Sequence, residues 1–137
     1  MKLINLLFAC ASILPVMATI KSCSSANSIL QLHSVSLTPD PPVRGQPVTL
    51  TVDFTNPGDP IVDGMVVSSI SLNYIPLPTQ KTPLCEYTEC PIVFGEQTRT
   101  SQTTWPDNVS GRISSKMVWK DSSDNELLCI QLLTSVS

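Results

Sequence analysis

One stretch of this 137-residue chain restricts its fold more than any other: Cys85-Glu86-Tyr87-Thr88-Glu89-Cys90, followed at once by Pro91-Ile92-Val93-Phe94-Gly95. Two cysteines so close in sequence close only a short loop when they oxidise. Pro91 holds the following backbone extended and removes a hydrogen-bond donor, so no helix runs on through it. Ile92, Val93 and Phe94 carry strand-forming side chains, and Gly95 permits a sharp change of direction. The stretch predicts a disulfide-stapled turn that feeds a strand.

Whether those cysteines oxidise depends on compartment. The chain starts Met-Lys and stays apolar from Leu3 to Met17, interrupted by Asn5, Ser12 and Pro15, before Val16-Met17-Ala18. A basic start, a short apolar run and small residues at its end read as a secretory signal peptide over residues 1–18. The run is shorter than the ~20 residues of a membrane span and contains a proline. The mature domain is then expected over residues 19–137, soluble, and either secreted or held in the lumen of an endosomal, lysosomal or vacuolar compartment. Cys10 leaves with the signal. Cys23, Cys85, Cys90 and Cys129 remain, an even number in an oxidising environment. Four cysteines allow three pairings, and sequence alone selects none. Nearness favours Cys85 with Cys90, which leaves Cys23 with Cys129; that end-to-end bridge closes a loop of about 100 residues, worth roughly 4–5 kcal/mol in the chain-entropy account. A zinc site is the rival use of the thiols, but Cys23 and Cys129 stand alone and supply no second close pair.

The rest of the mature chain reads as short strands. Ser28 to Leu37 forms a first strand with a kink near His33. Thr38-Pro39-Asp40-Pro41-Pro42 breaks it. Val48, Leu50, Val52 and Phe54 then alternate with Thr49, Thr51, Asp53 and Thr55, one face dry and one wet. Met65 to Ile75 reads as a long strand with Val66, Ile70, Leu72 and Tyr74 on one face. Gln97 to Trp105, rich in threonine, is an exposed strand. Ile113, Ser115, Met117 and Trp119 alternate again, Asp121 to Asn125 is a hairpin turn, and Leu127 to Leu133 is the last strand. Twelve prolines and the absence of helical periodicity argue against long helices. Six or seven short strands with frequent turns make an all-β antiparallel sandwich in one domain.

Chemistry-bearing constellations are scarce. His33 is the single histidine, it lacks a nucleophile elbow, and an ordinary strand histidine is the expectation. Glu86 and Glu89 read as solvated loop charges, not a catalytic pair. No phosphate-binding loop, calcium loop or histidine-rich metal motif is present, so neither enzyme, metal nor cofactor is expected. The net charge is −3, about −4 once Lys2 is lost, and no basic-aromatic stripe appears; nucleic acid is not an expected partner. Asn108-Val109-Ser110 is a glycosylation sequon in a loop. What remains is an apolar inner face that either fills a sandwich core or lines a dry cavity, and periodicity does not distinguish the two.

Beyond the stapled Cys-Pro-Ile stretch and Gly95, the early Cys23, the proline-rich turn Leu37 to Gly45, and Met117-Val118-Trp119-Lys120-Asp121 followed by Leu128-Cys129-Ile130 together resemble the ML lipid-recognition family. This family includes the Niemann–Pick type C sterol carrier, fungal phosphatidylglycerol/phosphatidylinositol transfer proteins and plant ML proteins. The resemblance implies an immunoglobulin-like β-sandwich with a lipid cavity between its sheets, disulfides Cys23–Cys129 and Cys85–Cys90, and a monomeric carrier. Such a carrier holds a sterol or phospholipid and touches membranes transiently. It implies a pocket of Phe54, Val66, Ile70, Leu72 and Tyr74 facing Ile113, Met117 and Trp119, with Leu77 and Trp105 at its mouth, and a headgroup phosphate near Lys81 or Arg99. The sterol carrier's additional early disulfide has no counterpart here. The alternative is a lipid-free extracellular sandwich that recognises a protein through its loops.

Overall fold

The computed structural model describes residues 17–105 and 107–136. Most of the segment read as a signal, residues 1–16, lies outside them. The elements in chain order are β1 (Thr19–Ser22), β2 (Gln31–Thr38), β3 (Pro47–Asn56), β4 (Gly64–Leu72), β5 (Ile75–Pro76), β6 (Gln80–Pro83), α1 (Leu84–Tyr87), β7 (Gly95–Thr104), β8 (Gly111–Asp121) and β9 (Glu126–Val136). They form two antiparallel sheets. One has three strands in the order β2-β3-β7; the other runs β1-β9-β8-β4-β5, with β6 also paired to β4.

The alternation that marked Val48 to Phe54 places β3 in the middle of the three-stranded sheet, its even-numbered side chains turned to the other sheet. Val52 and Phe54 are buried there. Opposite them, register pairs Val66 with Trp119 and Trp119 with Leu128, so the three adjacent strands β4, β8 and β9 present an apolar row, with Thr82 of β6 at its end. Phe54 and Tyr87 both meet the Trp119 ring edge-on at centroid distances of 5.8 Å. Leu30, Ile61, Leu84, Ile92, Leu127 and Ile130 complete the cluster. Each such fully buried side chain contributes about 1.5–3 kcal/mol of burial free energy.

Both disulfides form, Cys23–Cys129 and Cys85–Cys90, which removes the thiols from any zinc site. The first joins the chain just after β1 to β9, where the Cys23 N–H also donates to the Cys129 carbonyl at 3.0 Å.

Several elements differ from the sequence expectation. The kink near His33 is a β-bulge between Leu32 and Ser34. The stapled segment contains one helical turn, closed by the Thr88 N–H on the Leu84 carbonyl at 2.8 Å, where a β-turn was expected. Ile92 to Phe94 is not a strand: Ile92 makes a single bridge to Ile61, while Val93 and Phe94 are exposed. The long strand from Met65 ends at Leu72. Asn73 (φ 49°) and Tyr74 (φ 67°) turn the chain into β5, so Leu72 pairs with Ile75 across a two-residue hairpin. Two left-handed residues are the mirror-turn geometry that matches strand twist. The sequence hides it because tyrosine is a poor left-handed residue.

Candidate functional site

The site is the space between the sheets, and register decides which side chains enter it. On β4 and β8 the pairs Val66–Trp119, Ser68–Met117, Ile70–Ser115 and Leu72–Ile113 share the inner face. On β9, Leu128, Ile130, Leu132 and Thr134 continue the same rows. From the three-stranded sheet, Leu32, Val35 and Leu37 of β2 stand beside Phe54, Val52 and Leu50 of β3.

This space is unevenly filled. At one end Phe54, Val66 and Trp119 are each only 1 % exposed. At the other end Ile113, Val48 and Val136 are buried too, yet stand outside the main core cluster. Leu50, Ile70, Met117 and Leu132 between the two groups, and Leu72 beside Ile113, occupy inward positions and are only half-buried. In a filled sandwich such positions interdigitate and close off from solvent. Here they form a partly exposed seam, within which Leu50 and Met117 also pack against the main cluster.

The edge strand β7 gives the seam a polar side. Its residues opposite Phe54, Val52, Leu50 and Val48 are Gln97, Arg99, Ser101 and Thr103. The Ser101 hydroxyl shares a 2.9 Å hydrogen bond with the Tyr87 hydroxyl. Burial raises the Tyr87 pKa above its ordinary value, and the Ser101 bond offsets part of the rise. Arg99 Nε is buried without a hydrogen-bond partner, as are Trp105 Nε1, Thr134 Oγ1 and Thr88 Oγ1. An unsatisfied buried group costs about 1–3 kcal/mol, and two of the four, Arg99 and Thr88, stand side by side at the stapled turn. A cleft of about 380 Å³ opens beside Arg99, between β7 and the stapled turn, lined also by Tyr87, Thr88, Glu86 and Glu89.

Of the residues expected to line a pocket, Phe54, Val66, Ile70, Leu72, Ile113, Met117 and Trp119 share this inter-sheet space. Tyr74 does not join that face: it sits in the β4–β5 turn, 78 % exposed, with the Arg112 guanidinium 5.4 Å from its ring centroid. Leu77 is exposed beside the seam, its N–H donating to the Ile70 carbonyl at 2.8 Å. Trp105 is half-buried just beyond β7. Lys81 and Arg99 part company. Lys81 pairs with Val67, on the outer face of the six-stranded sheet, whereas Arg99 pairs with Val52 on the inner side. Asn108 is exposed in the loop before β8. Sequence reading left out Leu50, Leu132, Tyr87 and Ser101. Leu50 stands in the β3 alternation; Leu132 and Ser101 enter only through pairing between distant strands, and Tyr87 enters from α1 by packing on Trp119.

His33 lies on the far side of the three-stranded sheet, its Nε2 2.6 Å from the Thr55 hydroxyl. Nearby Asp53 accepts from Thr98 and Ser34, which together hold its carboxyl below the usual range. Among the described residues no cluster of metal-ligating side chains occurs.

The family model described as "ML domain" matches residues 18–136. A phosphatidylglycerol/phosphatidylinositol transfer protein of Aspergillus fumigatus is 34% identical over 91 residues, 61% of this chain and 51% of that protein. Among solved structures, a Niemann-Pick type C2 protein from Japanese carpenter ant superposes with a TM-score of 0.66 at 12% identity, over 87% of this chain and 99% of that one. Chicken MD-1, solved in complex with lipid IVa, gives a TM-score of 0.65 at 10% identity, over 86% and 88%. At those identities both structures speak for the fold.

Proposed function

The chain belongs to the ML domain family, and from that premise we propose that it binds a lipid between its two sheets and transfers it between membranes. The observation that carries the reading is the seam of half-buried inward aliphatic side chains, Leu50, Ile70, Met117 and Leu132 between two fully buried groups and Leu72 beside Ile113. Those positions give up packing contacts that a filled core would make. An acyl chain restores them. The two disulfides hold the ends of the chain and the stapled turn while the sheets part, and they suit an oxidising extracellular or lumenal compartment.

The transfer is physical; no bond is made or broken. Each CH₂ held out of water is worth about 0.8 kcal/mol, so a lipid does not leave the seam for solution unaided. A bilayer is as dry as the seam, and exchange into it carries no such penalty.

The polar inner side of β7 favours a phospholipid over a sterol. Gln97, Arg99, Ser101 and Thr103 line one edge of an otherwise apolar space. An acyl tail under β3 leaves a headgroup phosphate within reach of Arg99, whose guanidinium is suited to oxyanions. This agrees with the substrates in the name of the Aspergillus relative.

Native mass spectrometry of the oxidised protein after incubation with phosphatidylglycerol or sterol vesicles tests both levels. A one-to-one phospholipid adduct that weakens at least tenfold in Arg99→Gln is the expected result. A sterol adduct indifferent to that substitution overturns the headgroup assignment. A bare mass with every lipid overturns lipid carriage and favours the protein-recognition sandwich.

A further inference from the structure

We infer that the outer face of the six-stranded sheet is a docking surface for anionic membranes. Of the eight basic residues in the sequence, Arg112, Lys116 and Lys120 share one strand, while Lys21 and Lys81 are distant from them along the chain. Register brings them together. Arg112, Lys116 and Lys120 stand on the outward side of β8, opposite in parity to buried Ile113 and Trp119. Lys21 joins the Lys116 row through Gln131, and Lys81 joins the Val118 row through Val67. At ordinary strand spacings these five side chains cover about 20 Å by 25 Å.

The face is open to a partner. The one ion pair among the described residues is Lys120 with Asp124, 3.3 Å apart at the end of the sheet. Glu126, across from Lys120, has its carboxylate taken by Ser25 and Ser28. Between Arg112 and Lys21 run two adjoining clefts of about 320 and 170 Å³, which share Ser114 and Leu133 and carry hydroxyls from Ser71 and Thr19. The opposite outer face, on the three-stranded sheet, instead holds Asp53 and Glu96. A chain of net charge −3 thus carries five of its eight cations on one flank. Such a distribution orients a molecule in the field of an anionic surface.

The occupant follows from this chemistry. A plane of lipid phosphates matches a broad, dispersed array of cations with hydroxyls between them, whereas a single small anion needs converging ones. Beside Arg112 the exposed turn of Tyr74, Ile75 and Leu77 adds apolar side chains at the seam end, where they meet the headgroup boundary. The relevance of docking to transfer rests on the lipid-carriage reading; the docking itself does not.

Co-sedimentation of the oxidised protein with phosphatidylcholine vesicles, with and without phosphatidylglycerol, tests the surface. Binding is expected only with phosphatidylglycerol, and it should weaken steeply as salt is raised. Lys21→Gln/Arg112→Gln/Lys116→Gln should lose about fivefold per cation removed, while Arg44→Gln, off this face, should bind as wild type. Equal binding to neutral vesicles, salt-insensitive binding, or equal losses in the triple and Arg44 variants overturns the inference. The wild-type salt series decides alone if the triple variant does not fold. Uptake of detergent-dispersed phospholipid, read by native mass spectrometry, separates the two readings: vesicle docking without uptake defeats carriage and leaves the surface standing, and uptake without docking does the reverse.

Discussion

Glu126 shows how much a single side chain can organise at the edge of this fold. Its carboxylate accepts from the Ser28 hydroxyl and from the N–H and hydroxyl of Ser25, tying the segment after Cys23 to the start of β9. The Ser28 bond leads, then the Ser25 N–H; burial pulls the other way, and the Ser25 hydroxyl and Lys116 add to the lowering. The net effect holds its pKa below the ordinary 4.5. A depressed folded-state pKa stabilises the fold above the unfolded value and loses that contribution as pH falls through the folded one. The stability gap between wild type and Glu126→Gln is therefore widest near neutral pH and closes below 4.5, which chemical denaturation across a pH series would read. The sequence displays Glu126 as one more turn acid. Its partners lie about a hundred residues away and emerge only when the chain ends meet.

At the scale of elements, the staple and the end-to-end bridge have unequal tasks. Cys85–Cys90 closes a sequence separation of 5 and shapes one helical turn; Cys23–Cys129 closes a separation of 106 and clamps β1 beside β9. In the chain-entropy account the long loop is worth about 4.7 kcal/mol and the short one about 2. Replacing Cys23 and Cys129 with serine should lower the denaturant midpoint roughly twice as far as replacing Cys85 and Cys90, while the short pair should alter the Arg99 cleft more. The stapled stretch was legible as a constraint but misread in shape, because the strand potential of Ile92 to Phe94 finds only the Ile61 bridge as partner. β1 went unread for a related reason. Four mostly exposed residues carry no periodicity, and their pairing with Thr19 opposite Leu133 is purely tertiary.

For the molecule as a whole, the uneven filling of the inter-sheet space makes neighbouring residues on one strand respond differently. Val66 is sealed against Trp119, so Val66→Trp should overpack the core and cost about 1–3 kcal/mol or more, with lipid uptake lost only through unfolding. Ile70, two pleat repeats further along the same face of β4, borders the partly exposed seam. Ile70→Trp should leave the denaturant midpoint nearly unchanged and abolish the phospholipid adduct by occupying its place. Equal destabilisation of both variants, with uptake intact in whatever folds, would show the seam to be ordinary core.

The sequence by itself determined the class of this fold. Alternation in β3 and β8, the spread of prolines and the close spacing of Cys85 and Cys90 each restrict the local backbone, and local restrictions survive without knowledge of neighbours. The family wording around Cys85 to Gly95 added the direction of the function. Tertiary structure alone decided which side of the sandwich each charge occupies and how tightly each inward residue is covered. Arg99 and Lys81 looked equivalent along the chain; one turns to the seam and the other to solvent, because a strand's two faces are assigned only by what it pairs with. Five cations became one surface for the same reason, since the spacing between strands, and not the spacing between residues, sets the distance across a sheet.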